Sequence, residues 1–483
     1  MNSPRTGASA IHARMDALPM TPRLWAFVAI LAGGAFFEAY EMALTAILPP
    51  ALVRAGVFRS EGGLFGLPDQ AAFGASTLIG VFIGALLLGR LADHRGRKRV
   101  FIAALLLYTG ATAVMTLQDH VLWIDLCRVV AGIGFGAELV AIDAYLVDLM
   151  PSRYRGRAFA FAAFVQFLGV PVAGALSVAL VHDAPLGIAA WRWLCALGGL
   201  ALGVAWLAWR YLPESPRWLV LRGELERADA IVAMLEGDAT AFSIASHATL
   251  PSNKTAISMS AESMELPRAE RNRRLAMLVT LHVFSAIGFY GLGNWLPTLL
   301  AAQGHPLAES LEYSMYVALC YPVCPLLFLL FADRIERKWQ IVAASMLSGV
   351  LGIVFVSREG STALIATGIA LTFCNLLSAY ASHAYQAEIF PPAIRARAAG
   401  FAYSWGRFAA AFSSLLIGWL LKEGGVWFVF MFLFLVQMIA ALAVGLLGPR
   451  TLVSRRQDRS HLQASLVGLT IVSGEHGEIR KQG

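Results

Sequence analysis

Long apolar runs separated by short polar loops cover most of the chain. Six runs lie within residues 24–211 and six more within residues 275–448. Each run is close to the roughly 20 residues that a helix needs to cross the hydrocarbon core of a bilayer, at about 1.5 Å per residue. The pattern predicts an all-α integral membrane protein with about twelve transmembrane helices in two six-helix bundles.

Three polar segments lie outside these bundles. Residues 1–23 and 449–483 are predicted to be tails, and residues 212–274 a central loop. Within the loop, Leu221 to Leu235 has the pattern of an amphipathic helix, whereas the Ser-, Ala- and Thr-rich stretch 237–266 predicts a flexible linker. The first 23 residues lack a short apolar core followed by a small-residue cleavage site, so we expect the first helix to remain in the protein.

Composition narrows the class of protein and its partners. Of the 483 residues, 58% are hydrophobic and only 14% are charged, against roughly 25% charged in soluble domains. The net charge of +7 is carried by short loops and tails, where Lys and Arg set the orientation in the bilayer, so we expect no nucleic-acid partner. Basic residues are more numerous in the loops of one side, which predicts an inner (plasma) membrane protein with both termini in the cytoplasm.

Cysteines and histidines form no catalytic or metal-binding pattern in the sequence. All five cysteines lie in apolar runs, and the ten histidines are scattered. Cys320 and Cys324 share a helix face beside two prolines, which favours simple packing. We therefore expect no enzyme activity, no metal and no cofactor.

The chain repeats itself at an offset of 240 residues. Asp93 corresponds to Asp333, and the pattern from Tyr145 to Arg157 returns from Tyr385 to Arg397. Two separate loops that share one offset indicate that the halves are structural copies, related by an axis along the membrane normal. Such a pairing predicts a central cleft between the bundles.

A basic loop at residues 89–99 joins two apolar runs, with Gly89 and Gly96 where the helix ends must approach closely. This loop, the layout of six runs, a loop and six runs, and the repeat resemble the major facilitator superfamily. Residues 213–219, Pro-Glu-Ser-Pro-Arg-Trp-Leu, and the pattern from Arg128 to Gly136 are similar to its sugar porter and synaptic-vesicle-protein-like branches. The resemblance implies transport by alternating access, with a proton or as a uniporter. In the second copy of the loop, Leu329 and Glu336 replace the two glycines.

Charged loop residues are candidates for the conformational change. Asp148 with Arg155, and Glu388 with Arg395, are predicted salt bridges that form when the inner side closes and break when it opens. The full set of predicted gating residues is Gly89, Asp93, Arg97, Asp148, Arg155, Asp333, Glu388 and Arg395.

Few ionisable residues lie inside the apolar runs. Each costs about 2.5 to 3.5 kcal/mol at the helix centre on insertion scales, so each is a candidate functional residue. Glu41 and Arg128 lie at similar depths, roughly 10 to 12 Å from the outer ends of their helices, and are expected to meet. In the alternative, Arg128 pairs with Asp125 one turn away and Glu41 only lines the cleft. In the families that the chain resembles, an acid of the first helix faces an Arg of the fourth and carries the coupled proton, which implies this role for Glu41 and Arg128.

Glu38 and Arg407 are predicted to lie near the bilayer midplane. Glu38 is either a second proton site or a substrate contact. Arg407 requires a partner, which is Glu38, Glu138 or an anionic substrate, unless backbone carbonyls stabilise it in helix packing. Glu138 and Asp143 point about 140° apart, at 100° per residue, so one of them is expected to pack between helices. The remaining candidate substrate contacts are Gln166, Asn294, Trp295, Asn375 and Tyr380.

Together these features predict a monomeric secondary transporter that moves a small polar metabolite through the lipid bilayer. We favour an organic acid carried in symport with a proton. A sugar or another neutral metabolite, moved by symport or uniport, is the alternative, and a non-transporting sensor on the same fold is a third possibility.

Overall fold

The computed structural model describes residues 7–59, 62–63, 66–182, 185–246, 266–331, 335–358 and 360–450, and no β-strand occurs among them. The first half begins with a short helix outside the bundle, α1 (Ala8–Ala17), and continues with α2 (Pro22–Arg54), α3 (Asp69–Arg95), α4 (Arg97–Met115), α5 (Val121–Leu149), α6 (Arg155–His182), α7 (Ala190–Gly198) and α8 (Ala201–Tyr211). Helices α7 and α8 together make one span, Ala190–Tyr211. The N-terminal bundle thus has the six predicted spans.

Two helices of the central loop, α9 (Pro216–Leu221) and α10 (Leu225–Ser246), precede the second bundle. That bundle consists of α11 (Arg268–Ala302), α12 (Leu307–Ala318), α13 (Cys320–Phe331), α14 (Arg337–Val356), α15 (Ser361–Ile389) and α16 (Pro392–Leu447). Helices α12 and α13 are two halves of one span. The 56-residue α16 contains two spans, because Gly425 at φ 68° breaks its helical path. The second bundle therefore also has six spans, so the described residues form twelve.

The internal repeat is visible in the helices. Helices α5 and α15 each contain 29 residues, and both their first and their last residues are separated by the predicted offset. Helices α4 and α14 begin at Arg97 and Arg337, which have the same separation. The two bundles are copies of one backbone arrangement.

Several element boundaries differ from those expected. Helix α2 runs through Pro49 and Pro50 to Arg54 and does not end before the prolines, since its hydrogen bonds resume at the Ala55 N–H, 2.9 Å from the Ala51 carbonyl. In the central loop the helix starts at Leu225, after Gly223 turns the chain at φ 77°, and it extends into the stretch expected to be a linker. Residues 247–265, most of the C-terminal tail and the start of the N-terminal tail lie outside the described residues.

Glycines bring α3 and α5 into close contact. A Cβ atom added to Gly132 would collide with the backbone of Thr77 and Gly80, and one added to Gly136 would collide with Val81. Small residues of this kind let two helix backbones approach inside a membrane. This contact fixes the position of Arg128, one turn from Gly132, against the polar face of α3.

The bundles meet at one side of the membrane. We call the side that carries α1, α9 and α10 the tail face, and the opposite side the far face. At the far face Thr298 donates to the Gln70 side chain at 2.6 Å, and Lys422 donates to the Gly66 carbonyl at 3.0 Å. Towards the middle, Phe82 of α3 packs on Phe408 of α16 with ring centroids 5.5 Å apart. These contacts close the far face.

Candidate functional site

Glu41 of α2 and Arg128 of α5 meet inside the N-terminal bundle. Arg128 Nη1 lies 3.3 Å from Glu41 Oε2, and both side chains are completely buried. Arg128 also donates to the Glu41 carbonyl at 3.1 Å, to the Thr45 hydroxyl at 2.7 Å and to the Thr77 hydroxyl at 3.2 Å. The pair expected from helix depth therefore forms, and Arg128 does not turn outward to Asp125.

The surroundings hold this pair in one geometry. The Thr112 hydroxyl of α4 donates to Glu41 Oε2 at 3.1 Å, and the guanidinium lies 5.1 Å from the centre of the Phe73 ring. The other carboxylate oxygen, Oε1, rests against Gly198 at the end of α7 and has no hydrogen-bond partner among the described residues. The site is buried and compact, and Glu41 Oε1 is the carboxylate oxygen that can take a proton.

Glu38 lies one turn from Glu41, nearer the cleft. Its Oε2 accepts a hydrogen bond from Gln166 Nε2 of α6 at 3.2 Å. Its charge also interacts with those of Arg407 from the other bundle and of Asp143, and Asp143 is exposed. Glu38 thus lies within reach of Gln166 and Asp143 of its own bundle and of Arg407 of the other bundle.

Arg407 of α16 is the cation that the C-terminal bundle contributes. Its guanidinium lies 4.6 Å from the centre of the Tyr403 ring and 4.9 Å from that of Tyr290, and it donates to the Tyr403 hydroxyl. It forms no salt bridge within the described part of the chain. Aromatic faces stabilise a cation without neutralising it, so the charge of Arg407 remains available to an anion.

Two histidines lie next to this cation. His282 Nε2 is 3.0 Å from Gln386 Oε1, and Gln386 Nε2 is 3.2 Å from His383 Nδ1. The Tyr403 ring packs on both imidazoles, 5.9 Å from His282 and 6.2 Å from His383. This polar network places Arg407 beside groups that both donate and accept hydrogen bonds.

Three predicted substrate contacts are buried in packing. Trp295 is 1% exposed, and its indole N–H lies 3.4 Å from the Ser414 hydroxyl. Asn375 accepts from Ser348 at 3.1 Å inside the C-terminal bundle, and Glu138 is 0% exposed. These residues do not face the cleft in this conformation, because the helix faces that carry them are covered by neighbouring helices.

Two others lie nearer the interface between the bundles. Tyr380 is partly exposed, and its ring packs on Phe167 of the other bundle at 6.2 Å. Asn294 is 8% exposed, and its backbone carbonyl accepts from Gln70 at 3.4 Å. Asn294 therefore belongs to the far-face closure, whereas Tyr380 belongs to an aromatic cluster at mid-depth.

A large apolar groove occurs elsewhere in the molecule. It has a volume of about 980 Å³ and lies between α13, α14 and α15, with Val323, Leu347 and Ile369 among its lining residues. These side chains are exposed at the surface of the bundle. None of the described residues that line the groove is charged, and none of them belongs to the candidate site.

Comparison with known proteins identifies the family. A family model described as "Sugar (and other) transporter" matches residues 25–454. The chain belongs to this transporter family. It is 28% identical over 449 residues to the putative metabolite transport protein YyaJ of Bacillus subtilis, covering 91% of this chain and 95% of that protein. It is 26% identical over 442 residues to the niacin transporter NiaP of Acinetobacter baylyi, covering 91% and 97%.

The fold of the transporter agrees with that of a solved member of the major facilitator superfamily. The crystal structure of a D-xylose-proton symporter superimposes with a TM-score of 0.71 at 19% identity, covering 89% of this chain and 98% of that one. The protein is thus a multi-pass membrane transporter with a small-molecule substrate, and not an enzyme.

The loop carboxylates of the transporter pair within their own bundles. Asp148 Oδ2 lies 3.1 Å from Arg97 Nε and accepts from the Ser215 hydroxyl at 2.8 Å. Glu388 lies 3.8 Å from Arg337, the equivalent of Arg97 in the repeat. Asp148 thus pairs with Arg97 and not with the predicted Arg155, because the N-terminal end of α4 brings Arg97 close to this carboxylate. The pairing of Glu388 with Arg395 stays a prediction, since the Arg395 side chain lies outside the described residues.

Arg155 has a different partner on the tail face. Its Nη2 lies 3.9 Å from Asp16, and Asp16 also lies 2.9 Å from Arg217 of α9. Helix α1 is thereby fastened to the loop between α5 and α6. Of the other predicted gating residues, Gly89 lies within α3 and Asp333 lies outside the described residues, as do the side chains of Asp93 and Arg395.

Some residues of the site were not predicted. Thr45, Thr77 and Thr112 supply the hydroxyls around Arg128 and Glu41, and Tyr403 stacks on Arg407. Tyr403 lies four residues before Arg407, a spacing that places two side chains on one helix face. That signal was present in the sequence, whereas the threonines are recognisable only once their helices are packed.

Proposed function

We propose that this transporter carries a small organic acid across the inner membrane in symport with a proton, by alternating access, with its tail face in the cytoplasm. Arg407 is the observation that carries the proposal. A guanidinium offers several N–H donors in a plane and binds a carboxylate through two parallel hydrogen bonds. Here it lies between aromatic rings without a salt bridge in the described residues, and so suits an anion with a flat or apolar body.

The relatives support this chemistry. NiaP is named for the transport of niacin, which is an aromatic ring bearing a carboxylate. Tyr290 and Tyr403 beside Arg407 provide surfaces on which such a ring can stack, and stacked aromatic pairs are worth about 0.5 to 1.5 kcal/mol beyond their buried area. The side chains around Arg407 therefore suit both parts of an aromatic acid.

The Glu41 and Arg128 pair supports the proton-coupled part of the proposal. A carboxylate deprived of its cation in a dry site binds a proton, since an isolated buried charge is very costly. A shift of α2 against α5 within the N-terminal bundle, coupled to the rocking of the two bundles, would therefore allow Glu41 to bind a proton, and the return of the helices would release it. Family membership supports alternating access between the two bundles.

A neutral sugar is the second candidate substrate. The Glu38 carboxylate and the Gln166 amide, joined at 3.2 Å, are groups that bind hydroxyls well. The solved D-xylose-proton symporter shares the fold but leaves the substrate of this chain open.

Transport by the purified protein in liposomes tests the proposal. Nicotinate, nicotinamide and xylose should be compared as labelled solutes while the external pH is followed; nicotinamide keeps the ring of nicotinate but lacks its charge. We expect uptake of nicotinate with external alkalinisation. Glu41→Gln should abolish the proton movement while exchange of labelled for unlabelled nicotinate persists.

Arg407→Gln separates the two candidate substrates. Loss of charge-assisted hydrogen bonds worth about 1.5 to 3 kcal/mol should raise the KM for nicotinate roughly 10- to 100-fold, and Arg407→Lys should recover part of the loss. Arg358→Gln, an exposed loop residue, is the matched control and should change nothing. Xylose uptake that exceeds nicotinate uptake and ignores Arg407→Gln would refute the organic-acid proposal.

A further inference from the structure

Glu138 of α5 has no place in the mechanism described so far. Its side chain is 0% exposed, and neither carboxyl oxygen has a hydrogen bond of normal geometry within the described residues. The hydroxyl of Tyr108 on α4 is buried next to it and is also without such a bond. A buried acid beside a buried hydroxyl requires an explanation when neither group makes a hydrogen bond of normal geometry, because nearly all such groups in proteins are hydrogen-bonded.

The carboxyl group occupies a defined slot. Glu138 Oε1 lies directly over Gly34 of α2, where a Cβ atom would collide with it, and the ring of Phe101 closes the same space. Gly34 is one helical turn from Glu38 on α2. Glu138 is therefore buried between α2, α4 and α5, within electrostatic reach of Glu38.

No cation among the described residues forms a salt bridge with Glu138. Arg128 lies ten residues away on the same helix, roughly 15 Å along its axis, and is engaged by Glu41. The titratable groups that face Glu138 are Glu38 of α2 and Tyr108 of α4, and Glu41 reaches Tyr108. An ionised carboxylate among these neighbours would be both desolvated and repelled by Glu38.

We propose that Glu138 is a second proton-binding site of the transporter, which holds a proton in this conformation and exchanges it with the cleft through Glu38. In the exchange the proton leaves a Glu138 oxygen and binds a Glu38 oxygen, so the total charge of the two acids does not change. Tyr108 then donates to the carboxylate left at Glu138. The inference rests on the proposed proton coupling and adds a site beyond Glu41.

Infrared spectroscopy of the reconstituted protein tests the site without any substrate. A protonated carboxyl group has a carbonyl stretch that a carboxylate lacks. The difference between wild type and Glu138→Gln should contain one such band at neutral pH, and Glu41→Gln should leave that band in place. Tyr108→Phe, which keeps the ring, should shift the band, because the Tyr108 hydroxyl interacts with the Glu138 carboxyl group in this conformation and its removal changes the polarity around the carbonyl.

A wild-type spectrum that matches Glu138→Gln in this region, or a Tyr108→Phe variant that leaves every carboxyl band unmoved, would overturn the inference. A transport measurement adds a second readout: Glu138→Gln should lower the number of protons moved per substrate while substrate binding persists. If no solute moves protons but the band is present, the proposed symport fails and the proton site stands. If Glu41→Gln abolishes coupling and the band is absent, the proposed symport stands and the Glu138 proton site fails.

Discussion

Removing the carboxylate of Glu41 should destabilise the N-terminal bundle by about 3 kcal/mol. Breaking a fully buried ion pair by removing one partner typically costs about 3 to 5 kcal/mol, because the remaining charge is left uncompensated. Both side chains are completely buried, so screening by solvent does not reduce this cost. In Glu41→Gln, Arg128 keeps its bonds to the Glu41 carbonyl, Thr45 and Thr77, which places the loss at the lower end of the range.

The physical cause can be separated from a simple packing defect by a second variant. Glu41→Leu combined with Arg128→Met removes both charges and keeps similar volume, and such replacements are often neutral or stabilising. The double variant should therefore be at least as stable as Glu41→Gln alone, although it should not couple protons. Glu423→Gln, at an exposed position, is the matched control and should stay within about 0.5 kcal/mol of wild type.

Cys195 offers a local assay. It is 1% exposed and its thiol lies within electrostatic reach of both Glu41 and Arg128. In a background where Cys195 is the only cysteine, reaction with a fluorogenic maleimide during heating reports the opening of this bundle. A loss of about 3 kcal/mol should lower the midpoint by roughly 6 to 12 °C for a unit of this size. A Glu41→Gln midpoint equal to wild type, or a double variant far below the single one, would refute the reasoning.

Two further predictions concern packing. Ile11 of α1 is completely buried, whereas Arg14 pairs with partly exposed Glu236. Ile11→Ala should therefore destabilise the docking of α1 by about 2 kcal/mol or more, and Arg14→Gln by at most about 1 kcal/mol. Hydrogen exchange of residues 8–17 should accelerate more in Ile11→Ala, and the opposite order would contradict docking through apolar contacts. Gly132→Ala should destabilise by about 1 to 3 kcal/mol because its Cβ meets the α3 backbone, whereas Gly110→Ala, with open space around it, should stabilise by about 0.5 to 1 kcal/mol. Thermal unfolding of the two alanine variants tests this, and midpoints that shift in the same direction from that of wild type would contradict it.

The fold could be predicted from the sequence because the features that determine it are read along the chain, without knowledge of contacts between helices. Apolar length identifies the spans, and the repeat offset identifies the symmetry, without knowledge of any contact. Glu41 and Arg128 were paired from their depths and from the family resemblance, since two ionisable groups at the same level of a bilayer gain much by meeting. Each of these inferences depends on position along a helix axis, which the sequence records directly.

Rotation about each helix axis is what the sequence does not record. Trp295 and Asn375 are residue types that often line a substrate cleft, yet the packing of α11 and α15 turns their side chains into the bundle. The contact of Asp148 with Arg97 was missed for a similar reason, because sequence proximity favoured Arg155. Such choices depend on which neighbour covers a helix face, and α1 shows the point again: its charged residues suggested a tail, whereas Ile11 and Met15 bury it against the protein.

The repeat copies the backbone but not the chemistry. At the offset of 240, Arg128 corresponds to Gly368, where an added Cβ would lie 2.8 Å from Val317, so the second bundle has no room for a buried cation there. In the other direction Arg407 corresponds to Phe167, whose ring packs on Tyr321 at 5.8 Å. The buried Glu41–Arg128 ion pair therefore belongs to the first copy, and the Arg407 cation belongs to the second.

This division has a consequence for the proposed coupling. If the proton sites lie in the first bundle and the anion site in the second, the two must communicate across the cleft. Glu38 and Arg407 are charges of opposite sign that interact across it. An anion bound to Arg407 would weaken the hold of that cation on Glu38, and Glu38 would then favour a proton. Substrate binding and protonation would thus favour each other through Glu38, which couples the proton sites of the first bundle to the anion site of the second.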